Sequence, residues 1–146
     1  MIVASSAASA VAAYVSALSS EWKTGMATEH TYRPHLKALL ETLLPRLAAV
    51  NEPRHVECGA PDFILRSKAA GDAPPVFFVE TKDLNDGDLD GLTRNHEQFS
   101  RYKAALGRIV FTDYLDFRFY SGTELVDSIR VANVIGDHIV PTAPGA

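Results

Sequence analysis

The sequence predicts an α/β domain with a small mixed β-sheet flanked by helices, and three stretches carry that prediction. Val76-Phe77-Phe78-Val79 is apolar on both faces, the pattern of a strand buried on both sides of a sheet. Leu36, Leu39, Leu40, Leu43, Leu44 and Leu47 recur at i, i+3, i+4, i+7 spacing and fill one stripe of a helix. Ile109-Val110-Phe111-Thr112 is a buried-type strand, and the alternating Phe117-Arg118-Phe119-Tyr120 reads as its antiparallel neighbour. The order is helix, helix, strand, strand, strand, helix, strand, strand. That order gives antiparallel hairpins on either side of one helical crossover.

The elements follow from local signals. Val11, Tyr14, Val15, Leu18 and Trp22 are three or four apart, so a helix is expected from about Ala7 to Trp22, broken at Gly25. Thr31-Tyr32-Arg33-Pro34 opens the second helix, with Pro34 near its first turn. Glu41 falls at the edge of the leucine stripe, and Pro45 should kink or end the helix nearby. Asn51-Glu52-Pro53 is read as a turn, Arg54 to Glu57 as a short strand and Asp62 to Arg66 as the next. Gly71 and Pro74-Pro75 mark a hairpin-type loop before the Val76 strand. An acidic loop, Asp83 to Asp90, leads to a helix expected from about Leu89 to Leu106, which Gly107 stops. Leu125 to Val131 is expected to be an edge strand, and the Pro- and Gly-containing tail has linker composition.

Bulk properties narrow the classes. A chain of 146 residues fits one domain and needs no covalent staples. Hydrophobic and charged contents of 47% and 22% are ordinary for a globular protein. The one cysteine, Cys58, excludes an internal disulfide and a multi-cysteine zinc site, which suits a cytoplasmic location. A net charge of −4 argues against binding nucleic acid through bulk electrostatics, while leaving room for acidic metal ligands and a local basic patch. The Ala- and Ser-rich N-terminus has no basic region before Lys23 and is read as an amphipathic helix, not a signal peptide. No run reaches membrane-spanning length.

The chemistry converges on the end of the Val76 strand. Side chains alternate along a strand, so Glu80 and Lys82 share a face. Asp62 lies eighteen residues before Glu80, after Pro61 and ahead of the apolar Phe63-Ile64-Leu65. If the two strands are neighbours, both carboxylates end at one edge of the sheet. Two carboxylates completed by water and phosphate suit Mg²⁺. A lysine beside them can stabilise charge on a phosphate. The alternative is a hairpin whose strand ends carry solvated charges. Arg94, Gln98 and Arg101 share one flank of the expected third helix, a surface suited to a DNA backbone or simply to solvent. His30, His35, His55, His96 and His138 lack metal-site spacing, and Asp86, Asp88 and Asp90 lack the glutamate of a calcium loop. Arg118 is expected to pair with an acidic neighbour.

Pro61-Asp62 with Glu80-Thr81-Lys82 resembles the PD-(D/E)xK nuclease superfamily. Thr31-Tyr32-Arg33-Pro34-His35-Leu36-Lys37-Ala38-Leu39-Leu40-Glu41 resembles the leading helix of nuclease domains that begin fused restriction–modification enzymes, the type IIG and type ISP kinds. Gln98-Phe99-Ser100-Arg101-Tyr102 resembles their Gln-x-x-x-Tyr motif, and residues 112–120 resemble the closing strand pair. The resemblance covers about residues 29 to 132 and implies a restriction-endonuclease-like core. It implies catalytic roles for Asp62, Glu80, Lys82 and Gln98. Asp62 and Glu80 would bind Mg²⁺, with Mn²⁺ able to substitute, and Glu41 would complete the metal site unless it is a solvated helix charge. Arg94, Arg101 and Tyr102 would contact DNA.

The implied function is a metal-dependent DNA endonuclease domain that cuts one strand per active site, leaving 5′-phosphate and 3′-hydroxyl ends. Two copies would be needed for a double-strand break. The expected organisation is an N-terminal helix over 1–25, a nuclease core over 26–135 and a linker-like tail over 136–146. No Asn-Pro-Pro-Tyr type methyltransferase motif is present, so either an excised domain or a stand-alone relative is expected, and the tail favours excision. Expected partners are DNA and, in a full-length protein, a fused methyltransferase and target-recognition domain, with a helicase also among the candidates. The alternatives are a degenerate nuclease-fold module that binds DNA or assembles without catalysis, and a repair-type nuclease.

Overall fold

Helix α1 (Ile2–Lys23) and helix α2 (Glu29–Leu43) come first. Three strands follow: β1 (Leu47–Asn51), β2 (Phe63–Ser67) and β3 (Phe77–Thr81). After them come α3 (His96–Leu106), β4 (Arg108–Thr112), β5 (Asp116–Ser121), β6 (Glu124–Arg130), β7 (Ala132–Ile135) and β8 (His138–Pro141). The computed structural model describes residues 2–51, 61–69 and 74–142. The strand expected at 54–57, His55, Cys58, the Gly71 loop tip and residues 143–146 lie outside the described residues. No described helix is long and apolar enough to cross a membrane.

Strands β1 to β6 form one sheet in sequence order. Every pairing is antiparallel except β3 with β4, where the α3 crossover returns the chain in parallel. Strand alternation sends the two faces to different cores. Phe63, Leu65, Val79, Val110 and Phe117 pack with Tyr14, Val15, Leu18, Tyr32, Leu36 and Leu39 from α1 and α2. Ile109, Phe111 and Tyr120 pack with Leu89, Phe99 and Tyr102 on the α3 side. There the Phe99 and Phe111 rings stack with centroids 3.8 Å apart. Strand β3 is therefore covered on both sides, as its unbroken apolar pattern implies.

The structure differs from the sequence reading at four places. The leucine stripe does not continue to Leu47. Helix α2 ends at Leu43, Pro45 supplies no N–H to extend it, and Leu47 starts β1. Helix α3 starts at His96 rather than Leu89. The Asp88 carboxylate takes the N–H groups of Leu92 (2.8 Å), Thr93 (3.2 Å) and Asn95 (2.9 Å). Gly91 turns left-handed at φ +70°, so residues 89–95 make a side-chain-braced loop.

The other two corrections concern the ends. The stretch read as a linker from residue 136 instead contains β8, paired with β7 in a hairpin turned at Gly136. Nor is α1 a separate segment. Its Leu18 is fully buried, the Ser19 hydroxyl accepts the Ile139 N–H at 3.0 Å, and the Tyr14 hydroxyl donates to the Tyr114 carbonyl at 2.6 Å. A composition rich in Pro and Gly does not prevent a hairpin when one strand has a buried residue such as Ile139 to anchor it.

Gly91 approaches the helix beneath it closely. An added Cβ would lie 2.9 Å from the Phe99 Cβ at a backbone angle that side chains resist. Gly91→Ala is expected to destabilise the domain by about 1–3 kcal/mol. Urea denaturation monitored by circular dichroism measures it, and an unchanged midpoint would refute the packing account.

Candidate active site at the end of β3

Glu80 and Lys82 lie where β3 leaves the sheet. Glu80 pairs in register with Phe111 of β4, so its side chain stands on the α3 face, 4% exposed. The Lys82 N–H extends the ladder by one bond, donating to the Thr112 carbonyl at 2.9 Å. The Lys82 ammonium donates to Gln98 Oε1 at 2.5 Å and lies 5.6 Å from the Phe99 ring centroid. Gln98 is in the first turn of α3, immediately before the buried Phe99 that fixes that turn. Lys82 thus meets Gln98, with Glu80 on the same face of the sheet.

Asp62 sits differently. The β2–β3 ladder ends at Phe63 opposite Val79, which leaves Asp62 just beyond it. Its Oδ2 accepts the Thr81 N–H at 2.7 Å and the Thr81 hydroxyl at 2.8 Å. Its Oδ1 accepts Arg33 Nη2 of α2 at 2.5 Å. Thr81 alternates with Glu80 and Lys82, so its hydroxyl lies on the α2 side of the sheet. These hydrogen bonds draw the Asp62 carboxylate toward the α2 side, whereas Glu80 and Lys82 face α3.

Arg33 is the residue that the sequence reading missed, although it stood in the Thr31-Tyr32-Arg33-Pro34 motif. The available signal was its spacing. It precedes Leu36 by three residues, which puts a guanidinium on the buried stripe of α2, where it is 8% exposed. A buried guanidinium needs an acidic partner.

Other candidates are placed elsewhere. Glu41 is eight residues past Arg33, about 12 Å along the helix. Its carboxylate accepts the Ala49 N–H at 3.1 Å and the Lys37 ammonium at 3.1 Å, bracing edge strand β1. It therefore does not join Asp62. Arg94 precedes α3 and so does not share a helical flank with Gln98 and Arg101. Its guanidinium donates to the Asp86 carbonyl at 2.9 Å and pairs with the Asp86 carboxylate at 3.1 Å. Tyr102 is 2% exposed and belongs to the core beneath α3, so it is not a surface contact. Arg101 is exposed, 5.9 Å from the Tyr102 ring centroid. Arg118 pairs with Asp116 at 3.2 Å and Asp90 at 3.8 Å, the acidic pairing expected of it.

Among the described residues no group of three or more His, Cys, Asp or Glu side chains could hold a metal. Any cation at this site would rest on Asp62 and Glu80, with other ligands from water and substrate. The surrounding loops are firmly tied. The fully buried Asp113 accepts the N–H groups of Gly87 (3.1 Å), Leu115 (3.2 Å) and Asp116 (2.9 Å). Burial raises its carboxyl above the ordinary aspartate range despite those bonds. Asp113 thereby joins the acidic loop after β3 to the turn between β4 and β5.

No protein-family model matches the chain, and no curated protein matches it. Among solved structures it is similar to one described as a cryoEM structure of a DrdV–DNA complex, with a TM-score of 0.64 and 19% identity. That match covers 84% of this chain and 12% of the other, so the chain corresponds to a small part of that protein's length. The likeness establishes the fold, an α/β restriction-endonuclease-like core whose mixed six-stranded sheet is flanked by helices.

The Glu41 contacts set a pH dependence. The Ala49 N–H, then Lys37, hold its carboxyl below the usual value of 4.5 in the folded chain. A carboxyl lowered on folding stabilises the native state above its unfolded value and loses that effect as pH falls through the native one. Glu41→Gln should therefore melt at a lower temperature than wild type at pH 7. The gap should persist down to pH 4.5 and close below it. Equal melting temperatures at pH 7 would contradict the bracing role.

Proposed function

We propose that this chain is a Mg²⁺-dependent DNA endonuclease domain of restriction type, hydrolysing one phosphodiester strand per active site. The observation that carries this reading is the Lys82–Gln98 hydrogen bond at the end of a buried strand, on the same face as Glu80. A lysine ammonium fixed by an amide oxygen, rather than neutralised by a carboxylate, keeps its charge for a phosphate. The fold likeness to a protein solved in complex with DNA supports the substrate class.

The donor set fits the metal. Asp62 and Glu80 offer only oxygen, and Mg²⁺ is commonly held by one or two carboxylates plus water and substrate phosphate. When bound, the ion polarises the phosphodiester and lowers the pKa of a coordinated water. The chain's own residues do the rest. Lys82 stabilises negative charge on the phosphoryl oxygens, Gln98 orients the ammonium, and the Phe99 ring beneath limits where it can move. Arg101 is exposed on α3, where a guanidinium can also meet a neighbouring phosphate. In a full-length protein, a methyltransferase and a target-recognition domain would supply the modification and the base reading.

One observation favours a second reading, a DNA-binding or assembly module without catalysis. Asp62 is engaged by Arg33 and Thr81, as a purely structural carboxylate would be. Plasmid nicking separates the two readings. The purified chain should nick supercoiled DNA with Mg²⁺ or Mn²⁺ and stop when the metal is chelated. Lys82→Ala and Asp62→Ala should each reduce the rate at least about 100-fold. Wild-type-like nicking by both variants would sink the assignment of the site.

A further inference from the structure

The Asp62 carboxylate has little capacity left. Oδ2 already accepts two donors from Thr81, which occupy its two lone-pair directions. Oδ1 therefore remains for a cation, and it is the oxygen that meets Arg33 at 2.5 Å. The Arg33 side chain is 9% exposed and that of Asp62 is 14% exposed, so water screens this pair weakly. A divalent ion placed on Oδ1 would stand within a few ångströms of a guanidinium that stays protonated at any working pH. The two cations would repel strongly in so dry a setting.

From this geometry we propose that Arg33 and Thr81 form a latch on Asp62, with the guanidinium occupying the place of the metal in the resting domain. The inference rests on the nuclease reading above. Metal binding then has two parts: Arg33 gives up Oδ1, and Asp62 turns from the Thr81 side toward the face that carries Glu80. In the resting state the latch balances the Asp62 charge internally and keeps the carboxylate off the Glu80 face. The domain therefore binds divalent ions weakly by itself. Arg33 acts as a positioning residue through Asp62.

The latch makes a directional prediction about metal affinity that does not depend on cutting. Titration calorimetry with Mn²⁺ alone would compare the wild-type chain, Arg33→Met, Arg33→Lys and Thr81→Val. Arg33→Met keeps the buried stem without the charge and should bind Mn²⁺ at least tenfold more tightly than wild type. Arg33→Lys keeps a cation and should stay near the wild-type value. Thr81→Val removes one donor from Oδ2 at constant shape, should tighten binding about threefold, and serves if Arg33→Met fails to fold. If wild type binds Mn²⁺ and the folded variants bind equally or more weakly, the latch is wrong and Arg33 merely orients a ligand. If none of the proteins binds Mn²⁺, even with duplex DNA present, the nuclease reading itself falls and the latch falls with it.

Discussion

The parallel pairing of β3 with β4 is the constraint on which the rest of the molecule depends. It sets Glu80 opposite Phe111 and Thr81 opposite Thr112. That register decides which β3 side chains meet the α1–α2 core and which meet α3. Val79 enters the first core, and Phe78 packs against the second. A slip of one residue would reverse every assignment and bury Lys82 among the leucines of α2. Hydrophobic burial on both faces makes such a slip prohibitive, so the polar end of the strand is aimed by the apolar residues before it. The α3 crossover then brings Gln98 over that end because Phe99, one residue on, stacks on Phe111.

Most acidic side chains near the site serve the backbone. Asp88 binds the N–H groups before α3, Asp113 those around the β4–β5 turn, and Glu41 an N–H of edge strand β1. Each meets a backbone donor that lacks a helix or ladder partner. These bonds account for several of the aspartates that follow β3. Glu80 differs in position, since its own residue is still paired with Phe111 in the β3–β4 ladder. Asp62 does both, accepting a backbone N–H and an ion pair on different oxygens.

Electrostatics ties the sheet edge to α2. The Arg33–Asp62 pair joins helix and sheet through a nearly dry contact, where removing one partner would strand the other as a buried charge. The same arrangement makes the pair responsive to a third charge.

Much of the domain was legible in the sequence, and the parts that were not share a cause. The apolar run at β3 gave a doubly buried strand, the glycine at 107 gave the end of α3, and strand alternation gave the shared face of Glu80 and Lys82. Each is a short-range pattern that one segment states alone. The start of α3, the strand at Leu47 and the β7–β8 hairpin were not legible. In those cases a side-chain hydrogen bond to the backbone, or a neighbouring element, overrides local propensity, as Asp88 does for residues 92–95. The same holds at the site. The sequence placed Asp62 before one strand, Glu80 and Lys82 at the end of the next and Gln98 on the following helix, with their meeting conditional on the strands being neighbours. Only the tertiary structure decided that Lys82 meets Gln98 while Asp62 meets Arg33. A carboxylate beyond the last ladder pair is free to turn either way, and the nearest buried cation settles its direction.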